Sequence, residues 1–165
     1  MNLDIQKIIN DIRELAESII AENPHQIRAV YVLDVEGTVI AYTTNNALAK
    51  LGNTLFTAPR FITSLKSLIS TLPISGIDHV LIQGDNDVIQ LRNIYNTGYL
   101  MVISSSEATV GFISLLLDKY ANKMRDLLDK LLRVSEDEYV GVVDVDVTPR
   151  DIEDIINFIK SKAVL

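Results

Sequence analysis

The segment Ile27-Arg28-Ala29-Val30-Tyr31-Val32-Leu33 limits the possible folds more than any other. A strand alternates its side chains between two faces, and here both sets are apolar: Ala29, Tyr31 and Leu33 on one, Val30 and Val32 on the other. Such a strand has to sit at the centre of a sheet covered on both sides. Asp34-Val35-Glu36-Gly37 follows, then a second strand pattern from Thr38 to Thr43. A short acidic loop ending in glycine predicts a hairpin, because glycine accepts the positive φ such loops need.

The cover is found on either side in the sequence. Residues 3–22 place Ile5, Ile8, Ile12, Leu15, Ile19 and their neighbours at three- and four-residue steps, which predicts an amphipathic helix that stops at Asn23-Pro24. A second helix is expected from about Pro59 to Leu72, with Pro59 in its early turn and Pro73 ending it. Three strand patterns follow, His79–Gly84, Val88–Ile94 and Tyr99–Ser104, joined by tight-turn compositions at Asp85-Asn86-Asp87 and Asn96-Thr97-Gly98. Ser104-Ser105-Ser106-Glu107 is a cap cluster that predicts a long helix to about Arg133. The order is α-β-β-α-β-β-β-α, an α+β domain over residues 1–133. After Ser135 the composition turns acidic: residues 134–165 carry eight acids and three bases, most of the chain's net charge of −7. This extension is read as a strand from Tyr139 to Val147 and a helix opened by Thr148-Pro149. Its apolar stripe, Ile152, Ile155, Ile156 and Ile159, needs a host, either the chain's own core or a partner.

Charge and composition narrow the function. An acidic chain with only 15 basic residues is a poor nucleic-acid ligand, because phosphate contacts need clustered Lys and Arg. No apolar run approaches the ~18 residues of a membrane span. With no cysteine, thiolate catalysis, disulfides, Cys-ligated zinc and iron–sulfur clusters are all excluded, and a cytoplasmic location is expected. The absence of Cys and Trp and the abundance of Ile fit an archaeal or thermophilic source.

Catalytic motifs are not evident. The seven glycines are scattered singly, so neither a P-loop nor a dinucleotide fingerprint exists. His25 and His79 have no partner at ligand spacing, and Asp85-Asn86-Asp87 lacks the other ligands of a calcium loop. Ser104, Ser105 and Ser106 lack the glycines of a nucleophile elbow and read as caps. Asp144 and Asp146, alternating with valines, read as the outward face of a strand. No catalytic, metal or cofactor-binding residue is expected.

The second helix is more informative. Phe61, Ile62, Leu65, Leu68, Ile69 and Leu72 occupy one arc, and the opposite side holds Thr63, Ser64, Ser67, Ser70 and Thr71, with Arg60 and Lys66 at its margins. No acid lies between Arg60 and Leu72. A merely solvated helix face normally carries mixed long charges. A face of small hydroxyls suits the close approach of another backbone and is read as a partner contact.

The order and spacing of these elements resemble the Roadblock family (dynein light-chain seven type). The likeness rests on the apolar strand, acidic-Gly turn and second strand of residues 27–41, the Gly-ended strand Val80-Leu81-Ile82-Gln83-Gly84, and a last helix with Gly111 in its first turns. It covers about residues 2–133, whereas the strand–helix extension lies outside the minimal domain. The resemblance implies a five-stranded antiparallel sheet sandwiched between helices, of Roadblock/profilin-like type, and no active site. It implies homodimerisation through the third strand and second helix, and binding of a Ras-like small GTPase as regulator or scaffold. The interface residues it implies are Arg60, Thr63, Ser64, Lys66, Ser67, Ser70 and Thr71 with His79, Leu81 and Gln83. The alternative is a small-molecule sensor of profilin-like fold, which would need polar groups converging inside the core.

Overall fold

The computed structural model describes residues 3–45 and 54–142. By its contacts the chain falls into two units, Met1–Leu132 and Arg133–Leu165. The first holds α1 (Leu3–Glu22), β1 (Ile27–Leu33), β2 (Val39–Thr44), α2 (Thr54–Ser70), β3 (His79–Gln83), β4 (Asp87–Asn93), β5 (Tyr99–Ser105) and most of α3 (Val110–Val142). In the second, residues 133–142 are the last turns of α3.

The strands form one antiparallel sheet in the order β2-β1-β5-β4-β3. The doubly apolar β1 lies inside it, as its sequence requires, beside an equally buried β5. On one face Val30, Val32, Leu100 and Val102 pack with Ile12, Ala16 and Ile19 of α1 and with Ile113, Leu117, Met124 and Leu128 of α3. On the other face Tyr31, Leu33, Leu91, Tyr99 and Met101 pack with Ala58 and Ile62 of α2. Two helices therefore cover one face and one helix the other.

Three boundaries depart from expectation. α2 begins at Thr54, five residues before Pro59, so this proline lies inside the helix. Its ring removes one backbone donor. It also sets the helix against the β1–β2 hairpin: a side chain at Gly37, whose φ is +87°, would come within 2.9 Å of the Pro59 Cα. α3 begins at Val110, and Thr109 precedes it as the cap residue whose carbonyl accepts from the N–H groups of Phe112 and Ile113. The serine cluster instead makes a local turn in which the Glu107 N–H donates to Ser105 Oγ at 3.1 Å. α3 also continues to Val142, so residues 139–142, read from sequence as the start of a strand, are helical. Valine alternation can sit on a helix as well as on a strand, and an uninterrupted helix keeps every backbone bond internal. The rest of the expected strand, and the helix after Thr148, lie outside the described residues.

A polar seam pins α3 to β4. Gln90 is fully buried, donating to the Val110 carbonyl at 3.2 Å and accepting from Ser114 Oγ at 2.8 Å. Arg92, two residues on and on the same face, reaches Asp118 of α3 at 3.2 Å and pairs with Asp78. At the far flank Glu22 accepts from Lys119 and from the Tyr120 hydroxyl, tying the end of α1 to α3. The hydrogen bond from Lys119, then that from Tyr120, lowers the Glu22 pKa below its ordinary value of 4.5. A depressed carboxylate contributes stability that is complete above its unfolded value and lost as pH falls through the folded one. Glu22→Gln is therefore expected to flatten the decline of Tm below about pH 4.5 and to leave its shape at pH 6–8 unchanged, as followed by circular dichroism.

Candidate interaction surface

α2 is held by the middle of its apolar arc. Ile62 is fully buried, and Phe61 and Leu65 are half-buried against the same cluster. The arc then runs off the sheet: Leu68 is 56% and Leu72 46% exposed, so these two, placed in the buried arc by periodicity, are surface residues. Among the described residues the sheet ends beyond β4 at the short β3.

β3 is an edge strand, and it is exposed on both faces. Leu81 is 42% and Ile82 43% exposed, and Ile74 of the preceding connection is also bare. Its register against β4 assigns the faces. His79, Leu81 and Gln83 oppose Arg92, Gln90 and Val88, on the α3 side. Val80 and Ile82 oppose Leu91 and Ile89, on the α2 side. A sequence read by hydrophobicity expects such apolar residues to be inside. Val80 is half-buried against the α2-side cluster, whereas no element among the described residues covers Leu81 and Ile82.

The polar side chains expected at the interface sit as follows. Thr63, Ser64, Ser67 and Ser70 are exposed on α2, and Thr71 is exposed in the turn that follows it. Two of these hydroxyls turn back on their own helix: Ser70 Oγ donates to the Ser67 carbonyl at 2.7 Å and Thr71 Oγ1 to the Leu68 carbonyl at 2.6 Å. Their hydrogen-bonding capacity is thus partly satisfied, which makes the last turn less polar than its sequence suggests. Lys66 is not free, since its ammonium donates to the Val35 carbonyl and lies 3.8 Å from Glu36. Arg60 is exposed and makes no ion pair with a described residue. His79 and Gln83 are exposed on β3. The structure thus brings His79, Leu81 and Gln83 together along one side of the edge, and the hydroxyls along the outer side of α2.

The electrostatics are one-sided. Between Glu36 and Asp78 the sequence has no acidic residue, although the chain carries 22 of them. α2 and β3 lie wholly or partly within or beside this stretch, and neither contains an acid. Asp78, just before β3, is paired with Arg92. Missed by sequence reasoning were the exposed Leu68, Leu72, Ile74 and Ile82. The available signal was the brevity of the His79–Gly84 pattern, which forms the sheet edge. On the opposite face of the sheet, α1 and α3 form an open cleft of about 470 Å³ over Leu15 and Leu127, rimmed by Asp11, Glu14, Ser18, Lys123, Asp126 and Lys130. Its charges are mixed and it leads away from the core. Among the described residues no helix is long and apolar enough to cross a membrane.

No family model matches the chain, and no curated protein sequence matches it. Solved structures do. An MglB in a tetrameric arrangement superposes with a TM-score of 0.66 at 15% identity, over 75% of this chain and 92% of that one. Myxococcus xanthus MglB gives 0.65 at 12% identity, over 74% and 91%. A Roadblock/LC7 domain from Streptomyces avermitilis gives 0.57 at 12%, over 70% and 96%. The chain has the Roadblock/LC7 fold, an α+β fold with helices packed on a five-stranded antiparallel sheet, in a form similar to MglB.

Proposed function

We propose that the protein is a non-catalytic, homodimeric scaffold or regulator that binds a Ras-like small GTPase. The observation that carries this reading is the acid-free, apolar surface of α2 and β3 on a protein of net charge −7. A patch of this kind on an otherwise acidic molecule marks an interaction site. Its backbone edge suits a second copy and its basic margin suits an acidic partner. Arg60, Thr63, Ser64, Lys66, Ser67, Ser70 and Thr71 with His79, Leu81 and Gln83 are the proposed interface, joined by Leu68, Leu72 and Ile82. A cytoplasmic location goes with this role, and residues 134–165 form an extension distinct from the domain.

The two cations are not equivalent in this scheme. Arg60 is available to a partner's acids, whereas Lys66 is already engaged by Val35 and Glu36. Rim charges act mainly on association rate and its salt dependence. Arg60→Glu is therefore expected to slow association with the small GTPase by roughly tenfold at low salt and to reverse its salt response. Lys66→Glu should have a smaller effect on the rate. Stopped-flow mixing at several salt concentrations reads both. Equal rates for wild type and Arg60→Glu would remove this surface from the GTPase contact.

A further inference from the structure

We propose that the cleft between α1 and α3 takes an amphipathic helix of a partner protein, one with basic side chains on one flank of its apolar stripe and acidic side chains on the other. The cleft, of about 470 Å³, lies on the sheet face opposite α2, so the proposal stands apart from the GTPase reading above. Its floor is Leu15 of α1 and Leu127 of α3, both half-buried against the core. Its walls differ in sign. α1 supplies Asp11 and Glu14, and α3 supplies Lys123 and Lys130. None of these four side chains makes an ion pair among the described residues. Asp126, between the two lysines, lies 3.7 Å from Arg125, which offsets its charge.

The same two helices do close on each other one turn from Lys123. There Glu22, at the end of α1, accepts from Lys119 and from the Tyr120 hydroxyl of α3. Earlier residues of α1 share the cleft with later residues of α3, so the helices run antiparallel away from this clamp. Along the cleft the acids and lysines stand apart, each left to meet something else. A groove between two helices is the seat of a third, whose ridges drop between theirs. Lys123 and Lys130 are seven residues apart, about 10.5 Å along α3, so the cleft engages two turns of such a helix. An extended segment gains less, because the walls offer side chains and no free backbone edge. The stripe of the incoming helix would meet Leu15 and Leu127, its basic flank Asp11 and Glu14, and its acidic flank Lys123 and Lys130. Turning a helix end for end exchanges its flanks, so these charges also fix the direction in which it lies. A helix with one sign on both flanks gains at one wall and loses at the other.

Three fluorescein-labelled peptides of about 15 residues, each held helical by a staple on its outer side, test this against the full chain. All carry the same leucine stripe. One has Lys on one flank and Glu on the other, one has Lys on both, and one has Glu on both. Anisotropy titration is expected to show the two-signed peptide binding roughly tenfold more tightly than either of the others, the sum of several individually weak exposed pairs. Lys123→Glu with Lys130→Glu makes both walls acidic, and because both residues are exposed the fold is kept. The preference should then pass to the peptide with Lys on both flanks, a reversal that a damaged fold cannot give. Equal affinity for the three peptides, no binding up to about 1 mM, or a ranking that the double variant leaves as it was would overturn the proposal. So would a change in the variant's own mass by light scattering, which would give the cleft to a second copy. None of these outcomes bears on the α2–β3 surface.

Discussion

Gly98→Ala is expected to lower the melting temperature by roughly 10–20 °C, the largest effect of any single added methyl group in this domain. A Cβ built at residue 98 would fall inside the contact shell of the Leu33 carbonyl oxygen and lie 3.2 Å from Leu128 Cδ1. Leu33 is fully buried and pairs with Tyr99, so its carbonyl belongs to the β1–β5 register at the centre of the sheet. Backbone cannot swing aside as a flexible side chain can. Relief requires β5 to withdraw from β1, which strips contacts from both clusters at once and costs on the order of 4 kcal/mol. That is a large share of the ~5–15 kcal/mol by which domains are stable. Thermal melts by circular dichroism measure it, and a shift under 3 °C, a bound set roughly from the scaling for such domains, would show that the β1–β5 contact is looser than described.

Ile82→Glu is expected to leave the fold intact and break the dimer. Ile82 is already 43% exposed in the single chain, so a carboxylate there costs the isolated domain little. In the proposed dimer, which has β3 in its interface, the same residue's charge would be removed from water with no cation to meet it. The dissociation constant should rise at least ~100-fold, about 2.7 kcal/mol. Sedimentation equilibrium over a range of concentrations gives the constant, and melting at low concentration confirms the fold. An unchanged constant would place the contact between copies elsewhere. Ser67→Glu with Thr71→Glu should act in the same direction but more weakly, because both residues are exposed, Ser67 on α2 and Thr71 in the turn after it.

Much of this architecture was legible in the chain because its elements agree at several levels. β1 declares itself by being apolar on both faces, and α1 by a stripe whose Ile12, Ala16 and Ile19 are the residues found buried. The errors have physical causes. Periodicity puts Pro59 in an early turn, yet it lies inside α2, where its backbone closely approaches Gly37. Gly98 was read as the glycine of a tight turn, but the left-handed positions there are Tyr95, at φ 47°, and Asn96, at φ 64°. The glycine answers a close approach of strands that no local rule contains. Tyr95 also sets its ring beneath the Arg125 guanidinium, 4.8 Å from the ring centroid, a contact made across the fold. The surface was legible in part. The lack of acids on α2 is a property of sequence, whereas the exposure of Leu68, Leu72 and Ile82 depends on what the folded domain leaves uncovered. Periodicity identifies an apolar face but cannot say that its cover is missing.

The central claim, a dimer that engages a small GTPase, is tested most directly by one measurement of mass. The full chain is mixed with each small GTPase encoded alongside it, loaded with GDP or with a non-hydrolysable GTP analogue, and the species are weighed by size-exclusion chromatography with light scattering. The account predicts a complex containing two copies of this chain with bound GTPase in one nucleotide state, and a weaker complex or none in the other. A chain that elutes alone with every GTPase in both nucleotide states would contradict it.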